Sequence, residues 1–156
     1  MKKIAIIDYG CGNILNLIRA IEFAGYKTEI THDKKKIINS SHLILPGVGA
    51  FGNAIKKLEE YKLKNVILEY AKLDKPLLGI CLGMQLLLTE SYEFGFHKGL
   101  GLIEGQVIKI SNKQNKKIKI PHMGWNTVKV ISKHPILKRK KFESYFVHSY
   151  NFICRD

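Results

Sequence analysis

Arginine is scarce in this chain. Three arginines, Arg19, Arg139 and Arg155, stand among 26 basic residues, against 13 acidic ones and a formal net charge of +13. The guanidinium fork suited to phosphates and base edges is thus almost missing. The lysines fall in short clusters, at 34–36, 56–57, 116–117 and 138–141, without the interleaved aromatic residues of a nucleic-acid stacking platform. A solvated lysine-rich surface is therefore expected, with no nucleic acid as partner. Cysteine is also sparse. Cys11, Cys81 and Cys154 are an odd number without metal-ligand spacing, which points to reduced thiols and a cytoplasmic setting rather than a disulfide framework. No apolar run approaches the roughly 18 residues of a membrane span, so no membrane partner is expected. The apolar start at residues 4–7 meets Asp8 too early for a secretory signal. The six histidines are scattered, none paired at the spacing of a zinc helix or knuckle, and no metal cofactor is implied. Repeats and low-complexity tracts are absent too.

What remains is an ordinary globular composition, 46% hydrophobic and 25% charged over 156 residues. That length suits one domain and buries a sizeable core without staples. The first half alternates strand and helix signals. Residues 3–8, 28–31, 42–45 and 76–80 read as short buried strands. Asn13 is placed to cap a helix with Ile14, Leu17, Ile18 and Ile21 on one face, and Gly25 to stop it. Residues 53–73 carry helical periodicity with an interruption near Tyr61, and residues 82–89 favour helix. Strands separated by helices imply parallel βαβ units. In the second half, residues 101–110, 117–131 and 144–150 alternate and are rich in β-branched residues, which predicts antiparallel strands. No linker separates the halves. The expected architecture is a single α/β domain, a mostly parallel sheet flanked by helices with a β-rich antiparallel extension.

In such sheets, sites form at the carboxyl ends of the parallel strands. Three glycine-rich turns fall there, at 9–13, 46–52 and 79–83. Gly79-Ile80-Cys81-Leu82-Gly83 has the form of a nucleophile elbow. A tight strand-to-helix turn forces its central residue into a strained conformation with the side chain exposed, and flanking glycines remove the Cβ clashes that would block it. The Leu82 amide then points to where an oxyanion would form. The bland alternative is a buried structural cysteine in a glycine-flanked turn. Pro46-Gly47-Val48-Gly49-Ala50-Phe51-Gly52 can line a concavity with backbone amides, suiting an oxyanion hole or anion nest. It lacks the lysine of a phosphate-binding loop, and Leu15 breaks a dinucleotide fingerprint at 10–15. Gln85, one helical turn after the thiol, could hold a polar substrate, and Glu93 could pair with a substrate ammonium. His148 is a candidate base for Cys81, or a structural histidine within a strand.

Together, residues 79–85, 46–51 and 8–13 resemble class I (triad-type) glutamine amidotransferases. Pro121-His122-Met123-Gly124-Trp125-Asn126 makes the resemblance narrower. It is similar to glutaminase subunits that feed ammonia to a (β/α)8-barrel cyclase in histidine biosynthesis. The resemblance spans residues 3 to about 152 and implies a flavodoxin-like fold. It also implies that Cys81 attacks the glutamine amide and that amides of Val48 or Gly49, with Leu82, form the oxyanion hole. Gln85, Glu93 and Ser149 match positions that hold glutamine. Asn13, Asn16, Trp125 and Tyr145 match positions facing the cyclase, which would form a heterodimer with this chain and receive ammonia through an internal channel.

One departure stands out. The family completes its triad with a His and a Glu in an H-P-E segment nearer the C-terminus, and residues 1–156 contain none. His134-Pro135 is followed by Ile136, and His148 matches a separate family position. The expectation is a chain truncated at its C-terminal part and, as 156 residues, nearly without turnover. The alternatives are a paralogous subunit supplying ammonia for a surface sugar, and a catalytically inactive binding form.

Overall fold

The computed structural model describes residues 3–111, 119–132 and 136–155. The chain divides into two compact units, Met1–Ile108 with Phe152–Asp156, and Lys109–Asn151.

In the first unit, β1 (Ile4–Ile7), β2 (Thr28–Thr31), β3 (His42–Leu45) and β4 (Leu77–Gly79) form a parallel sheet in the order β2-β1-β3-β4. The chain leaves β1 in one direction to reach β2, then returns past it to β3 and β4. With right-handed crossovers this puts α1 (Ile14–Phe23) on one face and α2 (Lys34–Asn39), α3 (Phe51–Glu60) and α4 (Leu63–Ala71) on the other. The two long helices of the second group repeat one spacing. Phe51, Ala54, Ile55 and Leu58 are buried on α3, and Leu63, Val66, Ile67 and Tyr70 on α4. Each set is an i, i+3, i+4, i+7 stripe, and Ala5, Ile7, Leu43 and Leu45, which share one face of the sheet, are also buried. Burying each large side chain contributes about 2 kcal/mol before entropy is counted. The helical stretch breaks at Tyr61 and Lys62, the latter with φ of 57°, as the sequence pattern suggests.

α1 packs more loosely. Its expected face, Ile14, Leu17, Ile18 and Ile21, is only half-buried. Asn13 does sit at the N-cap, but its side chain makes no capping bond, a correction to the expectation. The C-terminal stop follows the glycine rule closely. Gly25 N–H donates to Glu22 O at 2.9 Å and Tyr26 N–H to Ile21 O at 3.2 Å, the paired bonds of a Schellman motif, with Gly25 at φ 83°.

One helix is additional to the expectations, and two expectations need correcting. The lysine cluster 34–36, exposed as expected, is the first turn of α2, capped by Asp33, whose carboxylate accepts the Lys36 N–H at 2.9 Å. The helix starting at Leu82, α5 (Leu82–Leu86), stops early, and β5 (Leu88–Ser91) follows. Leu88 is buried and pairs in a second sheet, so tertiary pairing overrides helix propensity there. That sheet has the order β10-β7-β5-β6, with β6 (His97–Lys98), β7 (Ile103–Lys109) and β10 (Tyr150–Cys154). β7 runs parallel to β5, not antiparallel. Period-two alternation marks a half-buried strand but carries no direction; the hairpin to β6 turns the chain back, and β7 then lies on the other side of β5.

The second unit is built on β8 (His122–Lys129) and β9 (Lys141–His148), antiparallel in register from His122↔His148 to Lys129↔Lys141. This is the expected antiparallel extension, although β9 begins before residue 144 and ends at His148. Residues 117–118 and His134-Pro135 lie outside the described residues. Even-numbered positions form a largely half-buried face and odd-numbered ones an exposed face. Among the described residues, no helix is long and apolar enough to cross a membrane.

Nothing lies within 4 Å of a Cβ built on Gly25, so Gly25→Ala tests backbone conformation alone. It should cost about 1 kcal/mol, read as a denaturation midpoint lowered at constant slope.

Candidate functional site

Three loops leave the carboxyl ends of β1, β3 and β4, and the residues between them explain why they meet. Tyr9, fully buried, donates its hydroxyl to Pro46 O at 2.7 Å and so ties the first loop to the second. Burial pushes its phenol well above the ordinary value, which keeps it a donor. A Cβ on Gly12 would meet the Pro46 ring at 3.2 Å. The second loop presses on the third. A Cβ on Gly47 would lie 2.6 Å from Gly83 N and 2.9 Å from Leu82 Cβ. A Cβ on Gly83 would lie 1.9 Å from Leu45 O, and one on Gly79 2.6 Å from Met84 Cα. At Gly47, Gly79 and Gly83 glycine is required because backbone approaches backbone there.

The turn at 79–83 is held by Ile80 N–H donating to Leu45 O at 3.0 Å and Gly83 N–H to Ile80 O at 3.0 Å. Between them, Cys81 has φ 54° and ψ −118°, a conformation L-residues adopt only where surroundings enforce it. Its thiol is exposed. The other thiol near this end of the sheet is its opposite. Cys11 is buried, and burial pushes its thiol up, a structural environment. Of the first four N–H groups of α5, those of Gly83, Met84 and Gln85 donate to Ile80 O, Cys81 O and Cys81 O. Among the described residues the Leu82 N–H has no such backbone partner. Val48 and Gly49 (φ 96°) are exposed in the neighbouring loop, and nothing lies within 4 Å of a Cβ built on Gly49. An exposed nucleophile at the N-terminus of a helix, with an exposed glycine-rich loop packed on the same turn, fits acyl transfer at a carbonyl.

Gln85 is half-buried on α5, one turn beyond Cys81. Glu93 does something the sequence reading missed. Its Oε2 accepts the N–H of Phe51, first residue of α3, at 2.6 Å, while its own N–H donates to the Oγ of buried Ser91 at 3.2 Å. It therefore anchors the end of the 46–50 loop to the β5–β6 connection. His97 packs beside it, with ring atoms 2.4–2.8 Å from where a Gly52 Cβ would stand. No sequence pattern signals a carboxylate 42 residues away acting as a helix cap.

The remaining candidates belong to exposed or separate places. Asn13 and Asn16 are exposed at the start of α1. In the second unit, Trp125 (71% exposed) and Tyr145 (54%) are cross-strand partners in edge-to-face contact at 5.6 Å, with Met123 and Val147 beside them. Ser149 is a half-buried bend between β9 and β10. His148 does not fit a base for Cys81. Its Nδ1 contacts Tyr150 O at 2.8 Å and its Nε2 contacts His122 Nδ1 at 2.8 Å, so both ring nitrogens are engaged. Among the described residues no cluster of His, Cys, Asp and Glu could hold a metal ion.

The fold and the elbow define a class. The family profile for glutamine amidotransferase class-I matches residues 5–154, and the chain belongs to that family. Within it, the chain is 43% identical to imidazole glycerol phosphate synthase subunit HisH of Wolinella succinogenes, covering 97% of this chain and 76% of that protein. It is 47% identical to the protein of the same name from Sulfurimonas denitrificans, covering 98% and 75%. Among solved structures, a glutamine amidotransferase crystal structure superposes with a TM-score of 0.71 at 18% identity, covering 97% of this chain and 74% of that one. A GMP synthase protein from Thermoplasma acidophilum gives 0.64 at 21%, covering 98% and 67%. At those identities the two structures support the fold.

Gly83→Ala drives a methyl into the Leu45 carbonyl and should destabilise by more than about 3 kcal/mol, far beyond Gly25→Ala. Tyr9→Phe leaves the buried Pro46 carbonyl without its donor. It should cost about 1–2 kcal/mol in chemical denaturation and raise amide exchange across residues 46–50.

Proposed function

We propose that this chain is the glutaminase subunit of imidazole glycerol phosphate synthase. The Cys81 sulfur attacks the side-chain carbonyl of glutamine. The tetrahedral oxyanion is received by the Leu82 N–H and an amide of Val48 or Gly49. Collapse expels ammonia and leaves a γ-glutamyl thioester, which water hydrolyses to glutamate. Gln85, Glu93 and Ser149 hold the glutamine, and ammonia passes to a (β/α)8-barrel cyclase docked against Asn13, Asn16, Trp125 and Tyr145. The observation that carries this reading is the exposed Cys81 at φ 54°, on a turn that three glycine contacts enforce. The names of relatives 43% and 47% identical over nearly the whole chain support the histidine-biosynthesis assignment. The setting is taken as cytoplasmic, from the reduced-thiol composition.

The chemistry also needs a proton acceptor for the thiol and a donor for departing ammonia. No H-P-E segment occurs in residues 1–156, and both nitrogens of His148 are engaged. A polypeptide of these 156 residues should therefore turn glutamine over about four orders of magnitude more slowly than a glutaminase with a complete triad.

Coupled assay of ammonia and glutamate, with the cyclase of a relative added, checks this. Rapid steady-state release would mean that another group serves as base. Incubation with a glutamine-derived electrophile should label Cys81, read by peptide mass, and Cys81→Ala should remove the label. Equal labelling of the Cys81→Ala protein would end the assignment of the nucleophile.

A further inference from the structure

We infer that His122 and Asn126 are positioning residues which, through His148, set the bend carrying Ser149; its consequence for glutamine rests on the function proposed above. The three side chains share one face of the β8–β9 ribbon, His122 and His148 half-buried and Asn126 exposed. His122 and His148 are register partners, and Asn126 follows His122 by four residues on the same face. Asn126 Nδ2 lies 3.0 Å from His122 Nε2, His122 Nδ1 lies 2.8 Å from His148 Nε2, and His148 Nδ1 lies 2.8 Å from Tyr150 O.

The last contact orders the others. A carbonyl oxygen can only accept, so His148 Nδ1 carries a proton. In the neutral ring, Nε2 is then an acceptor, and the facing His122 Nδ1 must donate. His122 Nε2 is in turn left as an acceptor, and the Asn126 amide donates to it. With both rings neutral, this is the one arrangement in which every contact pairs a donor with an acceptor. The chain ends on the carbonyl immediately after Ser149, so the imidazole of His148 spans that bend and fixes its direction. Phe146 flanks both rings, with centroids 5.3 Å from His122 and 5.9 Å from His148. This accounts for two polar members of the segment 121–126 that the exposed face of Met123 and Trp125 does not use.

The test begins with long-range proton–nitrogen NMR of the full 156-residue chain, labelled at histidine, in mildly alkaline solution. Both rings should be neutral and protonated at Nδ1. An Nε2-protonated His148 in the wild-type chain would overturn the inference. His122→Phe keeps a ring against Phe146 but removes the donor. It should release His148 from its single tautomer, speed amide exchange at Ser149 and Tyr150, and weaken glutamine binding about five- to thirtyfold by calorimetry. His122→Asn returns a donor near the Nδ1 position and should recover most of the loss. Asn126→Ala, outside the histidine pair, serves if His122→Phe fails to fold, and should free the His122 tautomer first. Unchanged His148 tautomer and unchanged exchange at Ser149 and Tyr150 in these variants would refute the relay. Wild-type protein with the expected tautomers but no glutamine binding would instead refute the glutamine contact of Ser149 and leave the relay standing.

Discussion

Leu45 ends the third parallel strand with a carbonyl that has no room beside it. It accepts the Ile80 N–H, and the α-carbon of Gly83 sits where a side chain would collide with it. Everything distinctive about the carboxyl end of this sheet follows from that contact. Because α5 starts so close to β3, the chain between β4 and α5 has only Ile80 and Cys81 in which to turn. The turn is closed by forcing Cys81 to positive φ, which throws its thiol outward. Gly47 is excluded from carrying a side chain by the same packing, since Gly83 N occupies the space. The strain at one residue is held by dispersion contacts and hydrogen bonds spread over three loops, which is how a costly backbone conformation persists in a marginally stable molecule.

The 46–50 loop is fastened at both ends. Tyr9 holds its beginning through Pro46 O, and Glu93 holds the residue after it through Phe51 N–H. Among the described residues its exposed middle, Val48 and Gly49, has no such ties, with Gly49 at a φ that only glycine adopts without cost. A segment anchored at its ends and unencumbered at its tip can present peptide donors without rebuilding the core beneath it. Glu93 thereby places a carboxylate at the N-terminus of α3, where the helix dipole favours negative charge.

Much of the first unit was legible because its signals are local. The strands at 28–31 and 42–45 are bounded as their apolar runs suggest, and the break at Tyr61 follows from the failure of one helical stripe and the start of another. The elbow was legible because steric necessity writes itself as glycine at fixed spacing. The errors have a common source in contacts between distant residues. Lysines 34–36 are exposed as expected, but the helix they open was not legible, because it is set by the Asp33 cap and by Ile37 buried behind it, with Lys34 paired to Glu69 and Lys36 to Glu29 at 2.7 Å each. Leu88 favours helix locally and is a strand only because β7 lies beside it. Tyr9, Ser91 and the capping role of Glu93 left no local trace at all.

The histidines show how far residue type alone carries a mechanistic argument. A histidine near the end of a cysteine-bearing chain invites assignment as its base, and His148 satisfies that description. Function at a thiol requires a ring nitrogen able to take a proton, and both of its nitrogens already have partners. Availability, not identity, is the property that separates a base from a strut. The same criterion separates the two thiols at this end of the sheet, where Cys11 is shut in and Cys81 is turned outward by the carbonyl that leaves α5 no slack. In both comparisons the deciding feature is what surrounds the reactive atom, His122 and Tyr150 around the imidazole and the Leu45 carbonyl behind the turn that carries the thiol.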